Sequence, residues 1–134
     1  MKKKILVVGA NFYKDILADL IIEAKQVLLK NKFSNDWIKV PGVYEIPVTI
    51  SKNIKKYDGV IALGCVIKGE TPHFDFISKA TINAIMKLSI ENKKPIGNGI
   101  ITCLNKNQAI VRSKSKGKEA ADAVVAVLKN DPQS

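Results

Sequence analysis

The sequence predicts an α/β fold: a flavodoxin-like three-layer sandwich whose four-stranded parallel sheet has the order 2-1-3-4 and carries helices on both faces. Short apolar runs alternate along the chain with segments of helical periodicity, which is the βαβ pattern. Val60–Ile67 is apolar almost throughout, as is typical of a strand in the middle of such a sheet. The length of 134 residues suits one domain, residues 1–134.

The first half of the chain supplies two strands and two helices. Ile5–Val8 is predicted to be a buried strand, and Asp15–Leu29 a helix, because its apolar residues recur at helical spacing. Phe33–Val40 is more polar, which predicts a strand at the edge of the sheet. The Pro41-Gly42 pair interrupts the chain, and helical periodicity resumes over Tyr44–Ile54. The buried face predicted for the first helix consists of Ile16, Leu20, Ala24, Val27 and Leu28.

A long helix and a fourth strand follow Val60–Ile67. The Thr71-Pro72 pair suits a helix start, since Thr can cap a helix and Pro tolerates its first position. This helix is predicted to continue to about Asn92. Pro95–Cys103 is the predicted strand, and the Asn98-Gly99 pair inside it is not taken as a hairpin turn because almost no strand precedes it. The apolar stripe predicted for the helix is Ile77, Ala80, Ala84 and Leu88.

Two further helices are predicted after the fourth strand. Asn105 and Gln108 have the spacing of a capping box, so a short capped helix is expected to end at Arg112. Glu119–Leu128 has helical periodicity and is predicted to be the last helix. Its expected apolar side is formed by Ala120, Val124, Val127 and Leu128.

The composition limits the classes of protein that the chain can represent. Hydrophobic residues make up 46% and charged residues 25%, as in an ordinary soluble domain. The longest apolar runs are too short for a membrane span or a signal peptide, so no membrane partner is expected. Two cysteines, Cys65 and Cys103, and the single His73 cannot assemble a usual zinc site. We expect a cytoplasmic protein with free thiols and no metal.

The formal net charge of +10 is compatible with nucleic-acid binding, with an anionic substrate or with a lysine-rich surface. The lysines are scattered in twos and threes, and Arg112 is the only arginine. Because bidentate base recognition usually relies on arginine, no nucleic-acid partner is expected. Most of the lysines are interpreted as solvated surface residues.

The candidate site lies at the carboxyl ends of the strands, where open α/β sheets bind their ligands. Phe12 follows the first strand, Pro41–Glu45 the second and Val66–His73 the third. Gly69 permits close backbone approach, and the helix start after it is a potential anion site. His73, in that first turn, is the only side chain with an unperturbed pKa near neutrality. The plainer alternatives are a surface histidine at position 73, a core residue at Phe12 and a solvated helix start at Glu45.

Two segments resemble the signature stretches of the lumazine synthase family: VPGVYEIP, Val40–Pro47, and LGCVIKGETPHFD, Leu63–Asp75. The resemblance extends from Ile5 to Leu128. It implies a transferase of riboflavin biosynthesis that condenses 5-amino-6-(D-ribitylamino)uracil with 3,4-dihydroxy-2-butanone 4-phosphate to 6,7-dimethyl-8-ribityllumazine, releasing phosphate and water. No redox step occurs in this reaction, so the resemblance implies no cofactor.

The resemblance also implies a role for individual residues. His73 matches the proposed proton shuttle, and Phe12 matches the aromatic side chain that stacks on the pyrimidine. The ribityl chain is expected at the backbone of Val43 and Tyr44 and at the Glu45 carboxylate, and the uracil edge at the backbone of Val66 and Ile67. The phosphate is expected at the amides of Glu70 and Thr71 and at the Arg112 guanidinium. Lys116 and Glu119 align with family residues of the following helix.

The chain departs from the family pattern in two places. Many members have an aromatic residue where this chain has Asn98, so one wall of the pyrimidine site is expected to be polar. A second class of members carries Gly-Asn-Gly there, as this chain does at Gly97–Gly99. The link from Arg112 to Lys116 is also shorter than in many relatives, which affects the alignment of Lys116.

The predicted position of Asn98 is compatible with a site that is shared between subunits. Asn98 lies near the amino end of the fourth strand, at the wrong edge of its own sheet to meet Phe12 and His73. The resemblance implies that Asn98, Arg112 and Lys116 come from a neighbouring subunit, and that the chains form a homopentameric ring. Capsid-forming relatives extend the chain before the first strand. Here only Met1–Lys4 precede it, the Ser113–Ser115 link is short and the charge is +10, so a ring without a capsid is expected.

Two alternatives from other functional classes stay open on the sequence. One is a pentameric riboflavin synthase, which shares this ancestry and consumes the lumazine product. The other is a non-catalytic flavin- or lumazine-binding protein. A flavodoxin-type carrier needs a phosphate loop rich in Ser, Thr and Gly after the first strand, which Gly9–Lys14 lacks. Formation of lumazine from the two substrates distinguishes these possibilities.

Overall fold

The computed structural model of the 134-residue chain describes residues 2–69, 73–130 and 132. Four strands alternate with helices, and single 3-10 turns at Val43–Glu45 and Ile54–Lys56 flank the second helix. The strands are β1 Lys4–Ala10, β2 Ser34–Val40, β3 Gly59–Ile67 and β4 Ile96–Cys103. The helices are α1 Lys14–Lys30, α2 Ile46–Asn53, α3 His73–Asn92, α4 Lys106–Arg112 and α5 Lys116–Lys129.

The strands form one parallel sheet of order β2-β1-β3-β4, which confirms the predicted topology. β3 is central and β2 lies at one edge, as predicted. Asn98 pairs with Ala62 and Gly99 with Leu63 inside β4, so the Asn98-Gly99 pair makes no hairpin. Because all strands are parallel, their carboxyl ends meet at one edge of the sheet.

Each face of the sheet has its own core, because successive side chains of a strand point to opposite faces. Ile5 and Val7 of β1 pack into a cluster with α1 and α5, whereas Leu6 and Val8 pack into a second cluster with α2 and α3. The predicted face of α1 is fully confirmed, since all its residues are buried. The helices on both faces complete the predicted three-layer sandwich.

Glycines allow α5 to lie very close to its neighbours. A Cβ atom on Gly117 would lie 2.2 Å from the carbonyl oxygen of Leu20 in α1. A Cβ atom on Gly97 of β4 would lie 2.3 Å from the carbonyl oxygen of Ala120. Both separations are shorter than van der Waals contact, so only glycine lets the backbones approach this closely.

The helix boundaries correct the predictions at two points and confirm a third. Tyr44–Ile54 is not one helix, because the tight Val43–Glu45 turn precedes α2 and a second 3-10 turn follows it. α5 begins at Lys116 rather than Glu119. The capped start of α4 is confirmed, since the Asn105 side chain accepts a hydrogen bond from the Gln108 amide at 2.9 Å.

The predicted faces of α3 and α5 are partly wrong. In α3, Ala80 is exposed, and the buried residues are Thr81 and Ile85. In α5, Val127 is 58% exposed, whereas Ala121 and Val125 are buried. Both helices carry apolar residues on adjacent stripes, and packing on the sheet selects between them by a small rotation about the helix axis. None of the helices in the described part of the chain is long and apolar enough to cross a membrane.

Candidate active site

A cavity of about 490 Å³ opens at the carboxyl ends of β1 and β3, beside the turn that follows β2. We call it the aromatic pocket. Its walls come from three separate segments of the chain and from the first turns of α3. The lining residues are Phe12, Tyr13, Gly42, Val43, Tyr44, Cys65, Val66, Ile67, His73 and Ile77. The structure therefore brings together six residues that were predicted separately from sequence: Phe12, Val43, Tyr44, Val66, Ile67 and His73.

Two aromatic side chains are exposed at this pocket. Phe12 is 74% and Tyr44 70% exposed, although large aromatic residues are usually buried. The interpretation of Phe12 as a core residue is therefore wrong. An exposed aromatic ring beside a concave site provides a flat apolar surface that a heterocycle can stack on.

Glu45 lies in the Val43–Glu45 turn and hydrogen bonds to its own loop. Its Oε1 accepts a hydrogen bond from the Gly42 amide at 3.0 Å, and its amide donates to the Gly42 carbonyl at 3.1 Å. These two bonds hold Val43 and Tyr44 at the pocket wall. Glu45 itself lines a neighbouring cavity of about 390 Å³, which it shares with Tyr44. The carboxylate is thus more than a solvated helix start.

Three lining residues lie outside the segments that were predicted to form the site: Tyr13, Cys65 and Ile77. Cys65 could have been found, because it lies two residues before Ile67 and therefore on the same face of β3. Burial and the neighbouring Cys103 raise the pKa of Cys65 to about 12. The Cys65 thiol is therefore neutral at physiological pH and serves as a small apolar part of the wall.

His73 is the first residue of α3 and lies at the mouth of the aromatic pocket. Its side chain is exposed, so it can reach both solvent and a bound ligand. The predicted helix start at Thr71 and Pro72, and the predicted anion site at the amides of Glu70 and Thr71, lie outside the described residues.

Arg112 and Lys116 lie elsewhere, in a cleft of about 250 Å³ beside β4. We call it the cationic cleft. The Arg112 Nη1 donates a hydrogen bond to the carbonyl oxygen of Thr102 at 2.8 Å. Thr102 pairs with Val66 across the sheet, and no strand in the described ranges covers the other side of β4. The cleft is lined by Ile100, Ile101, Thr102, Arg112, Ser115, Lys116 and Glu119.

Asn98 lies outside both the aromatic pocket and the cationic cleft. It is exposed, and its Oδ1 accepts a hydrogen bond from the Ile100 amide at 3.0 Å. A shallow cavity of about 90 Å³ separates it from α3, with Ile85 and Met86 among the lining residues. Neither Asn98 nor the cationic cleft shares a wall with the aromatic pocket of the same chain.

Comparison with known proteins shows the family of the chain. The family model described as 6,7-dimethyl-8-ribityllumazine synthase matches residues 2–131. The chain belongs to this family. A protein of that name from Bartonella bacilliformis is 42% identical, with 92% of this chain and 87% of the relative covered. A second, from Bartonella tribocorum, is also 42% identical and covers 96% and 91%. A 6,7-dimethyl-8-ribityllumazine synthase 1 from Rhodopseudomonas palustris is 41% identical and covers 94% and 84%.

Membership of the lumazine synthase family decides between the alternatives that the sequence left open. The matching family model and these relatives carry the name of the synthase, so a riboflavin synthase or a non-catalytic flavin-binding protein is not favoured. Both signature stretches, Val40–Pro47 and Leu63–Asp75, fall inside the matched range. Within residues 2–69, 73–130 and 132, no group of three or more His, Cys, Asp or Glu side chains could hold a metal ion.

Proposed function

We propose that this member of the lumazine synthase family condenses 5-amino-6-(D-ribitylamino)uracil with 3,4-dihydroxy-2-butanone 4-phosphate to give 6,7-dimethyl-8-ribityllumazine. The observation that carries the proposal is the aromatic pocket, which joins an exposed aromatic ring, the last residues of β3 and a histidine at one edge of the sheet. A flat, polar heterocycle and a proton-transfer reaction need these three features together.

The aromatic pocket is proposed to hold the pyrimidine. The ring would stack on Phe12, and backbone groups of Val66 and Ile67 would hydrogen bond to the uracil edge. The ribityl hydroxyls would lie along the backbone of Val43 and Tyr44. The Glu45 carboxylate can accept hydrogen bonds from this polyol, because a carboxylate has more acceptor sites than its bond to Gly42 uses.

Within this pocket the reaction proceeds by proton transfers alone. The pyrimidine 5-amino group attacks the ketone carbon, and loss of water gives an imine. Elimination of phosphate breaks the C–O bond of the butanone phosphate, and closure of the second ring releases another water. His73 at the pocket mouth is the proposed proton shuttle for these steps, because an imidazole can both donate and accept a proton near neutral pH.

The cationic cleft is proposed to hold the phosphate of the second substrate. The Arg112 guanidinium can form charge-assisted hydrogen bonds to phosphate, and Lys116 adds positive charge beside it. The amides of Glu70 and Thr71 are proposed to contribute as well. Because Arg112 lies on the outer side of β4, its cleft would meet the pocket of an adjacent subunit.

A shared site requires two different surface patches to meet, one from each subunit. Such a contact repeats around a closed ring, and we propose a homopentamer in which Asn98, Arg112 and Lys116 complete the neighbour's site. The exposed apolar side chains on α3, Phe76, Met86 and Ile90, support a further buried interface on the assembled protein. Cytoplasmic localisation is proposed as well, since Cys65 and Cys103 are free thiols.

A direct assay tests the proposed function. The purified protein is mixed with both substrates, and lumazine formation is followed by its absorbance and fluorescence. We expect lumazine and inorganic phosphate in equal amounts, and no product when either substrate is omitted. Incubation with lumazine alone tests the riboflavin synthase alternative. Riboflavin formation from lumazine, without condensation of the two substrates, would overturn the proposal.

A further inference from the structure

The Phe12 ring is exposed, yet it is not without support. Its ring centroid lies 4.9 Å from that of Tyr13, and the two planes meet at 83°, which is an edge-to-face contact. This geometry is favourable because the positive edge of one ring meets the negative face of the other. An exposed ring with such a contact has fewer accessible rotamers than an isolated one.

Contacts with the core and with Lys106 restrain the Tyr13 ring. It packs against the core cluster formed by α1 and α5, and it also lines the aromatic pocket. The Lys106 ammonium lies 5.3 Å from the centroid of its ring, in a cation–π arrangement. Lys106 is in turn ion-paired with Asp15 at 3.2 Å, which joins the start of α4 to the start of α1. Tyr13 thus connects an exposed ring to the rigid part of the fold.

We propose that Tyr13 is a positioning residue that fixes the orientation of Phe12 and thereby sets the affinity for the pyrimidine substrate. This inference rests on the proposed function, because that function makes the pyrimidine the ligand that stacks on Phe12. A stacking ring that is already oriented loses less entropy when the ligand binds. The contribution belongs to the Tyr13 ring rather than its hydroxyl, because the contacts with Phe12 and Lys106 both involve the ring.

The pair Tyr13→Ala and Tyr13→Phe tests the inference by steady-state kinetics and by calorimetric binding of 5-amino-6-(D-ribitylamino)uracil. Loss of one aromatic pair should raise the KM and Kd of the pyrimidine about three- to tenfold in Tyr13→Ala, with kcat and the KM of the butanone phosphate within about twofold. Tyr13→Phe should keep wild-type values. In a Phe12→Ala background, adding Tyr13→Ala should change the pyrimidine Kd by less than about 1.5-fold, because the two effects are coupled.

Tyr57 provides a matched control. The Lys4 ammonium lies 5.2 Å from its ring centroid, and Lys4 pairs with Asp36 at 3.5 Å, so the surroundings resemble those of Tyr13. Tyr57 lies at the amino ends of the strands, away from the pocket. Tyr57→Ala should lower the thermal midpoint without changing the pyrimidine Kd.

Different results would contradict the positioning role of Tyr13 and the proposed condensation reaction. An active wild-type enzyme whose Tyr13→Ala variant binds the pyrimidine normally would overturn the positioning role and leave the function intact. Equal, additive losses in the Phe12→Ala and wild-type backgrounds would also overturn it. Absence of lumazine formation by the wild type would overturn the proposed function, and the assignment of Tyr13 with it.

Discussion

The aromatic pocket and the cationic cleft are both at the carboxyl-end half of the sheet, but they differ in chemistry. The pocket is largely apolar and carries exposed aromatic rings. The cleft is smaller, about 250 Å³ against about 490 Å³, and contains Arg112, Lys116 and Glu119. One suits a flat heterocycle and the other suits a phosphate. The two proposed substrates match this difference, because one is a pyrimidine and the other is a phosphorylated ketone.

The position of the two cavities also differs. The pocket is formed by the ends of β1 and β3 and by the loop after β2, whereas the cleft lies on the outer side of β4. The two cavities are separate in a single chain, and they are the two halves of the proposed shared site. In the proposed assembly, the cleft of one subunit meets the pocket of the next, so that one small domain could bind two unlike substrates.

Substitution of His73 should affect catalysis in the aromatic pocket most strongly. We expect His73→Ala to lower kcat by about 10²–10⁴-fold, the contribution of a positioned acid/base, with KM values little changed because the binding contacts remain. Steady-state lumazine formation measures this effect. Lys79→Ala, an exposed change on the same helix, is the control and should be neutral. Loss of folding in His73→Ala would assign the histidine a structural role instead.

Substitution of Arg112 should affect only the half-site for phosphate. A hydrogen bond to a charged group contributes about 1.5–3 kcal/mol, so Arg112→Ala should raise the KM of the butanone phosphate by roughly 10- to 150-fold. The pyrimidine Kd should stay the same. Lys118→Ala removes an equal charge that is paired with Asp122 at 2.7 Å outside the cleft, and it controls for net charge. A similar loss of affinity for both substrates would contradict the proposal that the cleft and the pocket bind different substrates.

Mixing these two variants tests whether the halves belong to different subunits. His73→Ala and Arg112→Ala chains are unfolded together at equal concentration and refolded. The mixture is assayed at a butanone phosphate concentration below the wild-type KM, where each variant alone is poorly active. If each site takes His73 from one chain and Arg112 from the next, random mixing in a ring restores about one quarter of wild-type activity. A site within one chain would give no gain over the sum of the separate variants.

The weakest effect should come from Gly117, which joins the cleft to the core. Gly117→Ala places a Cβ atom against the Leu20 carbonyl, so the start of α5 must shift and the protein should lose about 1–3 kcal/mol of unfolding free energy. Because Lys116 precedes this glycine, the KM of the butanone phosphate should rise more than that of the pyrimidine. Thermal melts and kinetics measure both. Gly69→Ala, with no atom within 4 Å of its new Cβ, should keep the wild-type midpoint.

Much of the fold could be predicted from sequence because periodicity depends on local geometry. The apolar run of β3 predicted the central strand, and the spacing of Ile16, Leu20 and Ala24 predicted the inner face of α1. The faces of α3 and α5 were less predictable. Ala80 and Val127 lie on stripes as apolar as the buried ones, so their exposure depends on how each helix rotates against the sheet.

The candidate site was predictable in its parts but not in its arrangement. Phe12, Tyr44 and His73 follow different elements, and the parallel order of the strands places them at one edge. Sequence reasoning missed Tyr13, because a tyrosine next to a phenylalanine carries no signal of which ring supports the other. That distinction required the 83° angle between the rings and the position of Lys106.

Local sequence patterns specify the class of the fold, the order of its strands and the residue types at their carboxyl ends. These depend on the period of apolar residues and on the handedness of crossovers, which are properties of short segments. The packing of distant segments sets the 74% exposure of Phe12 and its edge-to-face contact with Tyr13. It also places Arg112 in a cleft that shares no wall with the pocket lined by His73. The exposure of a side chain and the cavity that it lines follow from close packing among segments that are distant in the chain, and no local pattern encodes them.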